Sequence, residues 1–197
     1  VVSTDDGISW TKRSIPQNLS YEAVVEDDGI LTQNTSGDSI FQSLDLGATW
    51  MHLPASTSFF DNGTERTIFS FMDIYKSGNT LYANAMTDDP VNMLILLESS
   101  NSGETWNVSF RPVSGDLIVH IISNGSTTLV TTVLGVYKRT GSSSWEVANG
   151  GLPVSQGSSI ISNIRIANGT IYAFFPDANN NLYKFNETLS VWEAIAT

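Results

Sequence analysis

Short apolar runs recur along the whole chain, each bounded by Gly, Asn, Asp, Ser or Thr. Runs of about four to eight residues between turn formers read as strands, not helices. The clearest turns are Asp27-Asp28-Gly29, Ser77-Gly78-Asn79, Asn124-Gly125 and Asn168-Gly169, each between two apolar runs. Turns of this kind favour tight hairpins. Their glycines stand at 29, 78, 125 and 169, spacings of 49, 47 and 44 residues.

A period in the forties with several short strands per unit is the pattern of propeller blades. Each blade is expected to carry strands A to D. The first blade (15–55) places them at 21–26, 30–34, 40–43 and 49–53, and a polar loop through Asn62 follows. The second (66–112) places them at 68–75, 80–86, 93–98 and 105–110. The third (115–150) has 117–123, 128–134, 136–138 and 144–148, and the fourth (158–197) has 160–167, 170–175, 182–185 and 191–195. Residues 1–14 hold only a C–D hairpin, a half blade. The expected fold is therefore one all-β domain over 1–197, a propeller of four four-stranded blades plus this hairpin. Three arrangements account for the hairpin: a small ring with one two-stranded blade, a longer propeller chain, or pairing with a neighbouring copy through an open strand edge.

A second repeat lies at the C–D corners. Ser43-Leu44-Asp45-Leu46-Gly47-Ala48-Thr49-Trp50 reads S-x-D-x-G-x-T-W. Asp45 can accept backbone N–H groups of the turn, Gly47 supplies a left-handed backbone, and the Ser43 and Thr49 hydroxyls can tie main-chain groups. Trp50 opens the next strand and is expected to bury its ring under the corner. A copy occupies Ser3, Asp5, Gly7 and Trp10, with Ser9 in place of Thr. Another occupies Ser99, Asn101, Gly103, Thr105 and Trp106, where loss of the carboxylate charge predicts the same corner with a weaker clasp. Worn copies run 138–145 and 185–192 and keep little but Trp145 and Trp192, so all five tryptophans fall on one repeated position.

These corners resemble the Asp-box (BNR) repeats of β-propeller families, among them sialidases, sortilin-type receptors, xyloglucan-degrading glycosidases and photosystem assembly factors. The resemblance covers nearly the whole chain. It implies the propeller fold without implying an activity, because in those families the box sits away from the ligand face. A sialidase would also need three arginines around a carboxylate, a Tyr–Glu nucleophile pair and an acidic proton donor. Of Arg13, Arg66, Arg111, Arg139 and Arg165, Arg165 alone falls in a predicted inner strand, and Arg13-Ser14-Ile15-Pro16 is only a near miss to Arg-Ile-Pro.

Composition narrows the partners. A net charge of −11, with nine basic residues that are scattered, argues against nucleic acid. No apolar stretch is long enough to span a membrane, and with no cysteine there is neither a disulfide nor a thiolate metal ligand. Seven N-glycosylation sequons begin at Asn18, Asn34, Asn62, Asn107, Asn124, Asn168 and Asn186. They favour a secreted or cell-surface protein bearing N-linked glycans. The opening at Val1 without Met or leader suggests processing or a longer parent chain.

Polar residues in the A strands are candidates for a ligand site in the propeller channel: Glu22, Asp73, His120, Asn163 and Arg165. Salt-bridged channel walls are the competing reading. The Asp177-Ala178-Asn179-Asn180-Asn181 run opens like a calcium loop but lacks its later Gly and Glu, so a turn is expected and no metal or other cofactor is assigned. No catalytic set stands out. The expected function is a non-catalytic extracellular module that binds a protein or glycan or assembles with itself. The alternative is a fragment of a carbohydrate-active propeller enzyme.

Overall fold

The computed structural model describes every residue except 6, 15, 17, 27–28, 143, 153–160, 162, 175–181 and 196–197, and only the backbone over 20–26. Every described regular element is a β-strand, and the strands form four antiparallel sheets in chain order. The first holds β1 (Leu19–Glu26), β2 (Gly29–Asn34), β3 (Ile40–Ser43) and β4 (Met51–His52). The second holds β5 (Ser58–Asp61), β6 (Thr64–Ser77), β7 (Thr80–Thr87), β8 (Leu94–Ser99) and β9 (Asn107–Phe110). The third holds β10 (Ile118–Ser123), β11 (Thr128–Thr132), β12 (Val136–Arg139) and β13 (Trp145–Val147). The fourth holds β14 (Asn163–Ala167), β15 (Thr170–Phe174), β16 (Leu182–Asn186) and β17 (Val191–Ile195). This is a four-bladed β-propeller.

Two expectations need correction. The stretch through Asn62 is not a loop: Asn62-Gly63 turns β5 into β6, giving the second sheet five strands. Asn62 takes φ 49° and Gly63 φ 81°, the left-handed pair a two-residue hairpin needs. Phe59 points into the core while Phe60 is exposed, the alternation of a half-buried strand. The early start of β6 also places Arg66 in a strand, so Arg165 is not the only arginine in one. At the N-terminus, the expected hairpin is reduced among the described residues to one antiparallel bridge, Val2 with Thr11.

The chain groups into two compact units, Val1–Asp88 with Glu98–Asn107, and Asp89–Leu97 with Val108–Thr197. Leu31, Ile40, Phe59, Phe71, Ile74 and Trp106 fill the core of the first. Ile95, Leu97, Leu129, Ile164, Ile171 and Trp192 fill that of the second. Each such side chain contributes about 1.5–3 kcal/mol by leaving water.

Three corners share one hydrogen-bond pattern. In the second, Gly47 N–H donates to Ser43 Oγ (2.7 Å), while Thr49 donates its N–H to Asp45 Oδ1 (2.8 Å) and its hydroxyl to Oδ2 (2.6 Å). The first repeats it with Gly7, Ser3, Ser9 and Asp5. In the third, Thr105 N–H still reaches Asn101 Oδ1 at 3.0 Å, but the Thr105 hydroxyl to that oxygen lengthens to 3.3 Å. The amide has no second acceptor oxygen, and its Nδ2 instead donates to the Thr105 hydroxyl at 3.1 Å.

The tryptophans divide. Trp106, Trp145 and Trp192 each donate their indole N–H to a backbone carbonyl at the end of the preceding blade: Ser56 (3.1 Å), Ser109 (2.7 Å) and Ala148 (3.0 Å). Trp106 and Trp192 are 2% and 3% exposed. Trp10, expected to be buried, is 63% exposed and donates to Gly7 O of its own corner. The Trp50 Nε1 is buried with no acceptor among the described residues. Close backbone approach locks the last sheet: Trp192 N–H donates to Gly150 O (2.7 Å), and a Cβ on Gly151 would sit 2.0 Å from Trp192 O. With φ 86° as well, that position admits only glycine.

Candidate functional site

The fourth sheet has two unlike faces because a strand alternates its side chains. Ile164, Ile171, Ala173, Tyr183, Phe185 and Trp192 are buried on one. On the other, the register sets Asn163 opposite Phe174 and Arg165 opposite Tyr172. Leu182 follows opposite Phe174, and Lys184 opposite Tyr172. Asn163, Arg165, Tyr172, Phe174 and Leu182 line one depression of about 360 Å³. Arg165 Nη1 donates to Ile164 O (2.7 Å), which pins one edge of the guanidinium at the rim. Beside it the Lys184 ammonium pairs with Glu193 at 3.0 Å. An aromatic floor with a fixed cation and an amide at its edge can stack a planar or sugar ring and hydrogen-bond its polar periphery.

Of the five expected channel residues, two meet here, Asn163 and Arg165. Asp73 lies half-buried in β6 opposite Asn84, and His120 half-buried in β10 opposite Thr131. Both engage partners. The Glu22 side chain and the calcium-like run 177–181 lie outside the described residues. Tyr172, Phe174 and Leu182 were missed by sequence reasoning. Their signal is the alternation Tyr172-x-Phe174, which puts two aromatics on the face of Asn163-x-Arg165 once the register is known.

Two other arginines, Arg111 and Arg139, are spent structurally. Arg111 Nη2 pairs with the buried Asp89 carboxylate at 2.9 Å, and Asp89 also accepts the Val91 and Asn92 N–H groups. Arg139 donates to the Gly141 and Ser142 carbonyls. Among the described residues no cluster of three or more His, Asp or Glu could hold a metal ion, and no helix is long and apolar enough to cross a membrane.

The sequons also separate. Asn18, Asn62, Asn107 and Asn168 are exposed, whereas Asn34, Asn124 and Asn186 are half-buried. Asn34 Nδ2 donates to Asp38 (2.6 Å), and Asn186 Nδ2 to Glu193 (2.6 Å). Asn124 Nδ2 donates twice, to Gly169 O (2.7 Å) and to Glu187 Oε1 (2.5 Å). Glu187 occupies the position of the corner aspartate in the worn copy 185–192, and its carboxylate has turned to the neighbouring blade. Its Oε2 accepts the hydroxyls of Ser126 (2.8 Å) and Thr127 (2.9 Å). Lys138 Nζ donates to Glu187 O (3.1 Å). These bonds, the Asn124 amide foremost, hold the Glu187 carboxyl below its ordinary range.

No protein-family model and no curated protein matches the chain. Solved structures do. YCF48 from Cyanidioschyzon merolae superposes with a TM-score of 0.55 at 15% identity, covering 95% of this chain and 59% of that one. The Niastella koreensis GH74 enzyme gives 0.54 at 16%, covering 85% of this chain and 28% of its own. A YCF48 bound to D1 peptide gives 0.50 at 16%, covering 86% and 52%. The chain thus spans 28% to 59% of these neighbours' length, and the likeness establishes the propeller fold.

Proposed function

We propose that this chain is a non-catalytic extracellular glycoprotein module that binds a protein or glycan, with further copies of itself among its partners, and that its corners are Asp-boxes. The observation that carries the binding reading is the exposed face of the fourth sheet, where Asn163, Arg165, Tyr172, Phe174 and Leu182 converge. Isolated exposed aromatics are ordinary, but aromatics gathered with a fixed guanidinium are how recognition surfaces combine area with specificity. A peptide-bound propeller among the structural neighbours supports a protein ligand. The sequons on exposed backbone support the extracellular setting.

Panels of immobilised extended peptides and oligosaccharides test this reading. Arg165→Ala and Tyr172→Ala are each expected to weaken the best binder about tenfold, or ~1.4 kcal/mol. Unchanged affinity in both variants would remove the fourth-sheet face from the account. The second reading, a fragment of a carbohydrate-active enzyme, draws on the GH74 likeness. Release of reducing ends from a polysaccharide by the purified chain would replace the first reading with it.

A further inference from the structure

We propose that Asn18, Asn62, Asn107 and Asn168 are the N-glycan sites of this chain, and that Asn124 is held bare by the fold although it heads a complete Asn-Gly-Ser sequon. The assignment rests on the extracellular glycoprotein reading. It follows from what each amide hydrogen is doing. In N-glycosylation the Asn Nδ2 forms a bond to the anomeric carbon of a lipid-diphosphate-linked oligosaccharide. The bond from that carbon to the diphosphate oxygen breaks, the lipid diphosphate leaves, and the amide gives up one of its two hydrogens. A glycosylated Asn therefore keeps a single N–H.

Asn124 needs both hydrogens, one for Gly169 O and one for Glu187 Oε1. Its Oδ1 is equally committed, accepting the N–H groups of Thr127 at 2.9 Å and of Ser126 at 3.2 Å. The residue is a lock between the β10–β11 turn of the third sheet and two turns of the fourth. A sugar on Nδ2 would remove one donor and drive a bulky polar group into the seam where Glu187, Ser126 and Thr127 meet. Chains modified there before folding would lose the lock, and secreted folded protein would be depleted of them.

The other four stand differently. Asn168 occupies the exposed first position of the Asn168-Gly169 turn with φ 49°. Asn62 holds the same place in the β5–β6 turn and makes one long bond to Asp61 (3.2 Å). Asn18 and Asn107 are exposed immediately before β1 and at the start of β9. Each can exchange one amide hydrogen for a sugar projecting into solvent. Asn34 and Asn186 spend one hydrogen each and keep the other, so the contrast is sharpest between Asn124 and the exposed four.

The test is to secrete the full chain from a eukaryotic cell, remove the glycans enzymatically in heavy-oxygen water, and locate the resulting labelled aspartates by mass spectrometry. Label is expected at 18, 62, 107 and 168 and none at 124. Ser126→Ala abolishes the Asn124 sequon while leaving both amide donor bonds in place, so its glycan content should equal the parent's. Asn168→Gln should lose one chain. A glycan on Asn124 in the folded secreted protein, or one chain fewer in the Ser126→Ala variant, overturns the proposal. So do four bare asparagines in a cell whose other secreted proteins are glycosylated. Protein from its native source found bare, while the recombinant protein carries the four chains, would defeat the extracellular reading alone.

Discussion

Each corner turns on one side chain. The Asp45 carboxyl lies below the ordinary 3.8, at about 2, chiefly because the Thr49 hydroxyl and then its N–H donate to the ionised form. Asp5 is held at about 2 in the same way by Ser9. A folded-state value below the unfolded one gives stabilisation that is complete above the unfolded value and is lost as pH falls towards the folded one. These two corners should therefore loosen between about pH 4 and pH 2. The third corner, built on Asn101, carries no such dependence. Asp45→Asn is expected to melt below the parent at neutral pH, with the deficit shrinking as pH falls through that window. A deficit of constant size in melts across the acid range would mean that charge is not what the carboxylate adds. The serine, aspartate, glycine and threonine of these corners were legible in the sequence because each acts on backbone within four residues of itself. Leu46 and Ser102 were not. Both take left-handed backbones, φ 56° and 59°, before the corner glycine, and neither residue type announces that conformation.

At the scale of the element, the indole clasps decide how one blade seats on the next. Trp106 joins its N–H to Ser56 O, whereas the Trp50 N–H is buried without an acceptor among the described residues. A hydrogen bond of this kind is worth about 1 kcal/mol, and an unmet buried donor costs about 1–3 kcal/mol. Replacing each Trp by Phe removes the donor at similar loss of ring area. Trp106→Phe is expected to lower unfolding stability by about 2–4 kcal/mol more than Trp50→Phe, read from denaturant midpoints. Equal losses would mean that ring packing alone holds the corners. The blade repeat was legible because turn glycines and corner tryptophans recur at a steady spacing. The fifth strand of the second sheet escaped because Asn62-Gly63-Thr64 is both a sequon and a hairpin turn, and only the turn dictates backbone shape. The partners of Trp106, Trp145 and Trp192 also escaped, since a carbonyl 36 to 50 residues upstream leaves no mark in side-chain identity.

For the whole molecule, the governing quantities are a net charge of −11 and a surface that exposes Ile8 and Trp10 at the first corner. Copies repel one another at low ionic strength, and salt screens that repulsion. Self-association through the first corner should thus strengthen with salt and weaken in Trp10→Ala, as measured by sedimentation across protein concentration. A monomer under all those conditions would exclude further copies as partners. The fourth-sheet face was half legible: polar Asn163 and Arg165 stood out in an inner strand, but their aromatic companions emerged only once strand register was fixed. The direction of the indole clasps bears on how the chain is made. In each of these three indole clasps the acceptor precedes the donor: Ser56 before Trp106, Ser109 before Trp145, Ala148 before Trp192. A ribosome delivers the N-terminal end first, so each arriving tryptophan finds its carbonyl already synthesised. Each of these clasps can close as its tryptophan emerges, whereas the Asn124 lock waits for Gly169 and Glu187.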